Sequence, residues 1–208
     1  MNRATVSLLM LALFLGVNFG LRTWVHWRST GSPGFRGISG RVASPEWFGG
    51  VLFAAGIVLG IAAPLAEMAG AIGPTLATRA RWVDALAFGA VLGGVAGTSW
   101  AQSSMGASWR IGVRQDERTE LIERGPFRWV RNPIFSFMLL TAMGLAMLLP
   151  NALSLAAFAC LFIAVELQVR FAEEPYLRRT HADRYTDYCR RVGRFLPGIG
   201  RDRGGALA

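Results

Sequence analysis

The sequence predicts an all-α, polytopic membrane bundle of about five transmembrane helices with a cytosolic C-terminal helical extension. Three observations predict it. The 208 residues are 52% hydrophobic with a mean hydropathy of +0.36, which is too apolar for a soluble domain of this size. The apolar residues fall in long runs, close to the ~20 residues a helix needs to cross a bilayer. All 22 basic residues are arginine, and they cluster between the runs or after the last one. Basic groups so placed flank membrane segments and contact membrane lipids; they do not line a soluble domain, so no nucleic-acid partner is expected.

The whole chain, 1–208, reads as a single membrane domain. Its first span, residues 5–21, has the apolar centre of a signal peptide, but no A-x-A-like cleavage site follows, so a retained helix is expected. Residues 22–45, rich in glycine, serine and arginine and without periodicity, are expected to form a loop. The second and third spans, 46–69 and 82–101, carry glycines at four-residue spacing: Gly56 and Gly60, then Gly89, Gly93 and Gly97. Gly16 and Gly20 repeat this on the first span. In lipid such spacing lets backbones approach closely, so these rows are expected at helix contacts. Pro64 is expected to bend or loosen the second span.

A polar connection, Met105–Leu121, leads to the fourth span, 134–149, which starts behind Asn132-Pro133; the proline suits a first helical turn. The fifth, 152–171, follows Pro150-Asn151 at once, and so short a connection makes the two helices antiparallel neighbours. The Arg131 end of one and the Glu173 end of the other then lie on the same side. In the tail, 172–208, Tyr185 and Tyr188 stand at a spacing suited to packing on one helix face. Residues 198–208 read as disordered.

With the N-terminus outside, the inner segments hold Arg22, Arg28, Arg36 and Arg41, six arginines from Arg110 to Arg131, and nine from Arg170 onward. The outer ones hold only Arg3, Arg79 and Arg81. This is a positive-inside pattern, and it predicts a cytosolic C-terminus. The arginine-only, Ala/Gly-rich composition reads as a high-GC bacterial sequence, which implies the inner (cytoplasmic) membrane. Cys160 lies in an apolar run and Cys189 in the tail, so neither a disulfide nor a metal site is expected.

The chain is organised around Leu121–Phe135, L-I-E-R-G-P-F-R-W-V-R-N-P-I-F. Gly125-Pro126 is turn chemistry. Between it and the helix start lie Arg128 and Arg131, whose guanidinium forks, with the free N–H groups of the helix start, suit an anion such as a carboxylate. The alternative is a basic loop that only sets topology. Glu166, Arg170 and Glu173 recur at four and three residues, on one helical face. They are expected either to neutralise one another at the interface or to line a pocket.

Together, 121–135 and 165–197 resemble the isoprenylcysteine carboxyl methyltransferase family and, more distantly, the phospholipid methyltransferases. The resemblance rests on Gly125, Pro126, Phe127, Arg131, Pro133 and Phe135, then Glu173, Glu174 and Leu177, then Tyr185, Tyr188, Val192, Arg194 and Pro197. It covers about the C-terminal half. One departure is Asn132, where many relatives carry histidine; an amide hydrogen-bonds but is not a base near neutral pH. The resemblance implies S-adenosylmethionine as cofactor, no metal, and a lipophilic or small methyl acceptor. Arg131 and Glu173 are the implied catalytic residues. Gly125, Phe127, Arg131, Asn132, Pro133, Phe135, Glu173, Glu174 and Tyr185 are the implied cofactor-binding set. These residue types fit the donor, whose sulfonium, zwitterion, ribose diol and adenine want a carboxylate, an anion holder and an apolar slot. Two other readings stay open: a nicotinamide-dependent membrane reductase of the sterol-reductase kind, and a non-catalytic membrane scaffold.

Overall fold

The computed structural model describes residues 2–33, 37, 38, 40–75, 80–106, 109 and 120–202. Most of the 105–121 connection and residues 203–208 lie outside them. Five helices carry the fold: α1 Arg3–Thr30, α2 Pro45–Met68, α3 Arg81–Met105, α4 Pro133–Leu148 and α5 Ala152–Arg191. The described residues contain no strands, only two isolated bridges. Four helices are long and apolar enough to cross a membrane, and α4 is a shorter apolar helix. The chain is an integral membrane protein.

Helix starts follow their capping residues. The side chains of Asn2, Ser44 and Asn151 accept from the backbone N–H of Thr5, Trp47 and Ser154. Asn151 is fully buried and also donates to Ala63 O and Glu67 Oε2, tying the short α4–α5 turn to the end of α2. Pro64 is tolerated inside an unbroken α2.

The first helix is longer than its apolar run. Residues 22–30, expected in a loop, continue α1 after a π-helical turn at Gly16–Leu21, and Gly31 ends it at φ 74°. A helix leaving the membrane can turn polar, and Arg22 gives this one an anchor. Its Nη2 donates to Gln102 O and Gly106 O at 3.1 and 3.0 Å, taking orphan carbonyls at the end of α3.

The tightest pairs are α3 with α4 and α2 with α5. Glycines make both. Gly56 lies against Leu161 and Ala157 O, Gly97 against the Phe137 ring, and Gly60 near Leu11. Gly89, Gly93 and Gly16 instead face open space. The buried face of α3 runs through Ala87, Val91, Gly94, Thr98 and Ala101, and Gly89 and Gly93 lie off it. The close approaches that spacing alone did not single out are at Gly49, Gly94 and Gly144.

This contrast is testable. A methyl at Gly94 would stand 2.7 Å from Phe137 O and 2.8 Å from Thr141 N, backbone atoms that cannot step aside. Gly94→Ala is expected to destabilise by about 1–3 kcal/mol, whereas Gly93→Ala should stay within about 0.5 kcal/mol or gain slightly from helix propensity. Thermal unfolding of the two variants in detergent reads the difference, and equal shifts would refute this α3–α4 register.

Candidate active site

The candidate site forms where the start of α4, the C-terminal half of α5 and the segment after α5 converge. Gly125 takes φ +57°, and a side chain there would collide with Ser104. That turn opens a 3₁₀ segment, Gly125–Arg128, which buries Pro126 and Phe127. Phe127 and Ile122 pack on Ala101 of α3, and Tyr188 Oη donates to Phe127 O at 2.6 Å. The chain is thereby fixed on both sides before it reaches Arg131.

Arg131 is the centre of the cluster. Its side chain is 1% exposed. Nη1 donates to Cys189 O and Val192 O at 3.0 and 2.9 Å, and Nη2 to Glu174 Oε1 and Gly200 O at 3.0 and 3.1 Å. The guanidinium thus caps the carbonyl end of α5, where the helix dipole favours a cation. Nε alone has no hydrogen-bond partner. Glu174 also receives both arms of Arg194, at 2.8 and 2.9 Å, a bidentate pair. Two guanidinium groups around one carboxylate leave this buried triad with one positive charge in excess.

The two helix ends do meet, but through Glu174 rather than Glu173. A π-helical turn at Gln168–Glu173 inserts extra residues into α5 and changes the phase of everything after it. Glu166 and Arg170 pair as an i,i+4 couple before the shift is complete. Glu173 closes the π turn half-buried, while Glu174 begins the next segment and turns inward. The single-face alignment of Glu166, Arg170 and Glu173 therefore does not extend through the turn.

The segment after α5, residues 192–202, forms a strap over the start of α4. Arg131 N–H donates to Gly193 O at 2.8 Å, and Asn132 N–H and Nδ2 both donate to Arg194 O at 3.1 and 3.2 Å. Ser136 Oγ donates to Phe195 O at 2.7 Å. Two of the N–H groups expected to hold an anion are thus occupied by the protein itself. Residues 198–202, expected to be disordered, are held by Arg131, by Asp202 N–H on Cys189 O, and by Arg178 on Asp202. Apart from the Arg178–Asp202 ion pair, backbone carbonyls do the holding, so composition carried little sign of it.

The other expected residues are distributed as follows. Pro133 is buried at the first position of α4, and Phe135, two residues on in the same turn, is half-buried. Tyr185 is 1% exposed and lies behind the arginine, in an apolar layer with Leu121, Tyr188, Cys189 and Val192. Arg128 and Trp129 are exposed, and the Trp129 ring lies 5.8 Å from that of Trp100. Sequence reasoning missed Ser136, the strap glycines and the ion pairs of Glu123 with Arg184 and Arg191. Arg194 stood in the motif without a role. A side chain at Gly193 would collide with Leu196 O and stand 2.7 Å from Ile199 O.

Asp202 gives the strap a pH response. Arg178 holds its carboxyl below the ordinary value of 3.8. A lowered pKa means that this contribution is present above about pH 4 and is lost as pH falls through the lowered value. Hydrogen-exchange protection at residues 193–202, taken relative to the intrinsic rate at each pH, should fall on acidification below pH ~4 in the wild type. In Asp202→Asn it should be low already at neutral pH, and unchanged protection in that variant would separate Asp202 from the strap's order.

Inside the bundle, α1, α2, α4 and α5 enclose a cavity of about 60 Å³, lined chiefly by apolar side chains such as Leu11, Phe53, Met138, Leu145 and Leu161. Along α4 it runs from Met138 to Ala146, about 12 Å at 1.5 Å per residue. It begins about 7.5 Å in from Pro133 by the same measure.

A family model described as phospholipid methyltransferase matches residues 82–184. The chain is 30% identical over 90 residues to protein-S-isoprenylcysteine O-methyltransferase B of Arabidopsis thaliana, covering 42% of this chain and 44% of that protein. It is 29% identical over 75 residues to the uncharacterized protein YpbQ of Bacillus subtilis (strain 168), covering 36% of this chain and 44% of the relative. The chain spans less than half the length of either.

Proposed function

Because the chain belongs to the isoprenylcysteine carboxyl methyltransferase-like family of integral membrane methyltransferases, we propose that it moves a methyl group from S-adenosylmethionine to a carboxylate, thiol or amine of a lipophilic or small acceptor. One observation carries this reading. A buried guanidinium cluster with a spare positive charge and one unpartnered N–H stands at the start of α4, the helix that lines an apolar cavity further into the bundle.

The residues fit the donor. Arg131, through Nε, and the excess charge of the triad suit the donor's carboxylate. Glu174, tied to two arginines, holds that cation in position, and Glu173, half-buried at the end of the π turn, is the carboxylate proposed to face the donor's ammonium or ribose. Phe135, half-buried, offers aromatic surface beside the site, the buried Phe127 and Tyr185 back it, and Gly125 and Pro133 shape its backbone. Asn132 keeps the start of α4 joined to the strap without titrating.

When bound, S-adenosylmethionine supplies an electrophilic methyl whose C–S bond breaks to leave a neutral thioether as the new bond forms to the acceptor. A carboxylate or thiolate acceptor needs no proton transfer, and an amine releases one proton. The work left to the protein is alignment and the exclusion of water. Asparagine in place of the family's histidine is compatible with that requirement. The apolar cavity favours an acceptor with a hydrocarbon tail, entering from the bilayer. The arginine distribution supports a cytosolic C-terminus and a site on that face, in a bacterial inner membrane.

Isothermal titration of purified protein in lipid nanodiscs tests the reading. S-adenosylmethionine is expected to bind and NADPH is not. Binding of NADPH alone would establish the reductase reading, and binding of neither would leave a scaffold.

A further inference from the structure

The tip of the strap, Phe195 to Ile199, exposes apolar side chains at a depth that belongs to the membrane. Leu196 is 56% and Ile199 63% exposed, in the sequence F-L-P-G-I. The depth follows from α4. Its 16 residues span about 24 Å, less than the ~30 Å of a bilayer's hydrocarbon core, so its first turn lies at or inside the hydrocarbon boundary. Ser136 in that turn donates to Phe195 O at 2.7 Å, which places the strap tip at the same level. The exposed rings of Trp100 and Trp129, tilted against each other, mark the headgroup zone beside it. Val130 pairs with Gly193 immediately after Trp129.

The strap's backbone is also prepared for such a setting. Irregular backbone at membrane depth must find its hydrogen bonds within the protein. Gly193 O, Arg194 O and Phe195 O are taken by Arg131, Asn132 and Ser136 at the entry to α4, Arg194 N–H donates to Ile199 O, and Ile199 N–H donates to Leu196 O. Pro197 has no N–H to satisfy. Arg194, next to the tip, is paired with Glu174 through Nε and Nη2.

We propose that the Phe195–Ile199 turn is a wedge inserted into the host bilayer beside the short α4, continuous with that helix's lipid-facing surface. The wedge and the donor cluster share one strap, since Gly193, Arg194 and Gly200 are the carbonyl partners of Arg131 and Asn132. Contact with lipid therefore holds the donor site assembled; this second consequence rests on the donor reading above.

Bimane attached to Leu196→Cys or Ile199→Cys, in a Cys160→Ala background and in nanodiscs, reads the insertion. The control is Asp183→Cys on the exposed face of α5. Lipid carrying a nitroxide near the top of its acyl chain is expected to quench the two tip positions several-fold more than the control, with aqueous iodide showing the reverse order. Iodide quenching at the tip equal to that of Asp183→Cys would overturn the proposal. For the coupling, Leu196→Glu/Ile199→Glu is expected to weaken S-adenosylmethionine binding about tenfold or more, with helical content and elution unchanged. Unaltered affinity in the folded variant would remove the coupling. If wild type binds no donor, the functional reading fails, while the quenching pattern still decides insertion.

Discussion

Glu174→Ala is expected to destabilise the folded protein by about 3–5 kcal/mol, the cost of stripping the partner from buried charge. The carboxylate accepts from Arg131 and from both arms of Arg194, and the Arg131 side chain is 1% exposed. Without it, two guanidinium groups face each other across a buried gap at the junction of α4, α5 and the strap. At roughly 2–4 °C per kcal/mol for a chain of this length, the midpoint should fall by roughly 6–20 °C. Glu174→Gln keeps an acceptor but loses the charge, and should cost about 1.5–3 kcal/mol. Replacing Arg131, Glu174 and Arg194 together by apolar residues of similar size should recover much of the stability while abolishing donor binding, because a buried ion cluster is retained for what it positions more than for its net energy. Thermal unfolding in nanodiscs reads all three. A loss under ~1 kcal/mol for Glu174→Ala, the range of a surface pair, would show that the carboxylate is not buried between the arginines.

Arg131→Lys carries the second large effect, and it falls on ligand binding. Lysine preserves the charge but not the planar fork that reaches Cys189 O, Val192 O, Glu174 and Gly200 O at once. It also has no counterpart of Nε, the one N–H of the Arg131 guanidinium that is left unpartnered. Losing a charge-assisted bond to the donor's carboxylate should weaken S-adenosylmethionine binding by about 1.5–3 kcal/mol, roughly 10- to 150-fold. Arg128→Lys, on an exposed neighbour, should leave affinity within about twofold, as expected of a surface substitution. Titration of the two variants side by side makes the comparison, and equal affinities would take Arg131 out of the site.

Much of the architecture was legible because hydropathy and loop length are local properties. The runs at 46–69, 82–101, 134–149 and 152–171 each coincide with a helix, and the three-residue turn at Leu149–Asn151 makes α4 and α5 antiparallel. The meeting of Arg131 with the acidic end of α5 followed from that geometry alone. Less visible were features set by phase and by backbone. A π turn is not encoded by residue type, so the choice of Glu174 over Glu173 could not be read from spacing. Gly93 and Gly94 are chemically identical neighbours, and only the direction of the buried face of α3 separates them. The strap is built from carbonyls of Gly193, Arg194, Phe195 and Gly200, which every sequence possesses. Residues 22–30 escaped because their helix is stabilised by Arg22 on the end of α3, and not by an apolar run.

The central claim is that the Arg131 cluster and its surroundings hold the methyl donor. Direct ultraviolet cross-linking of radiolabelled S-adenosylmethionine to the protein in nanodiscs, followed by peptide mapping, tests it most directly. Label confined to peptides from 121–136 and 166–202, and abolished by excess unlabelled donor, is the result expected. Label that is competed away equally well but maps to α1 or to the first half of α3 would contradict the account.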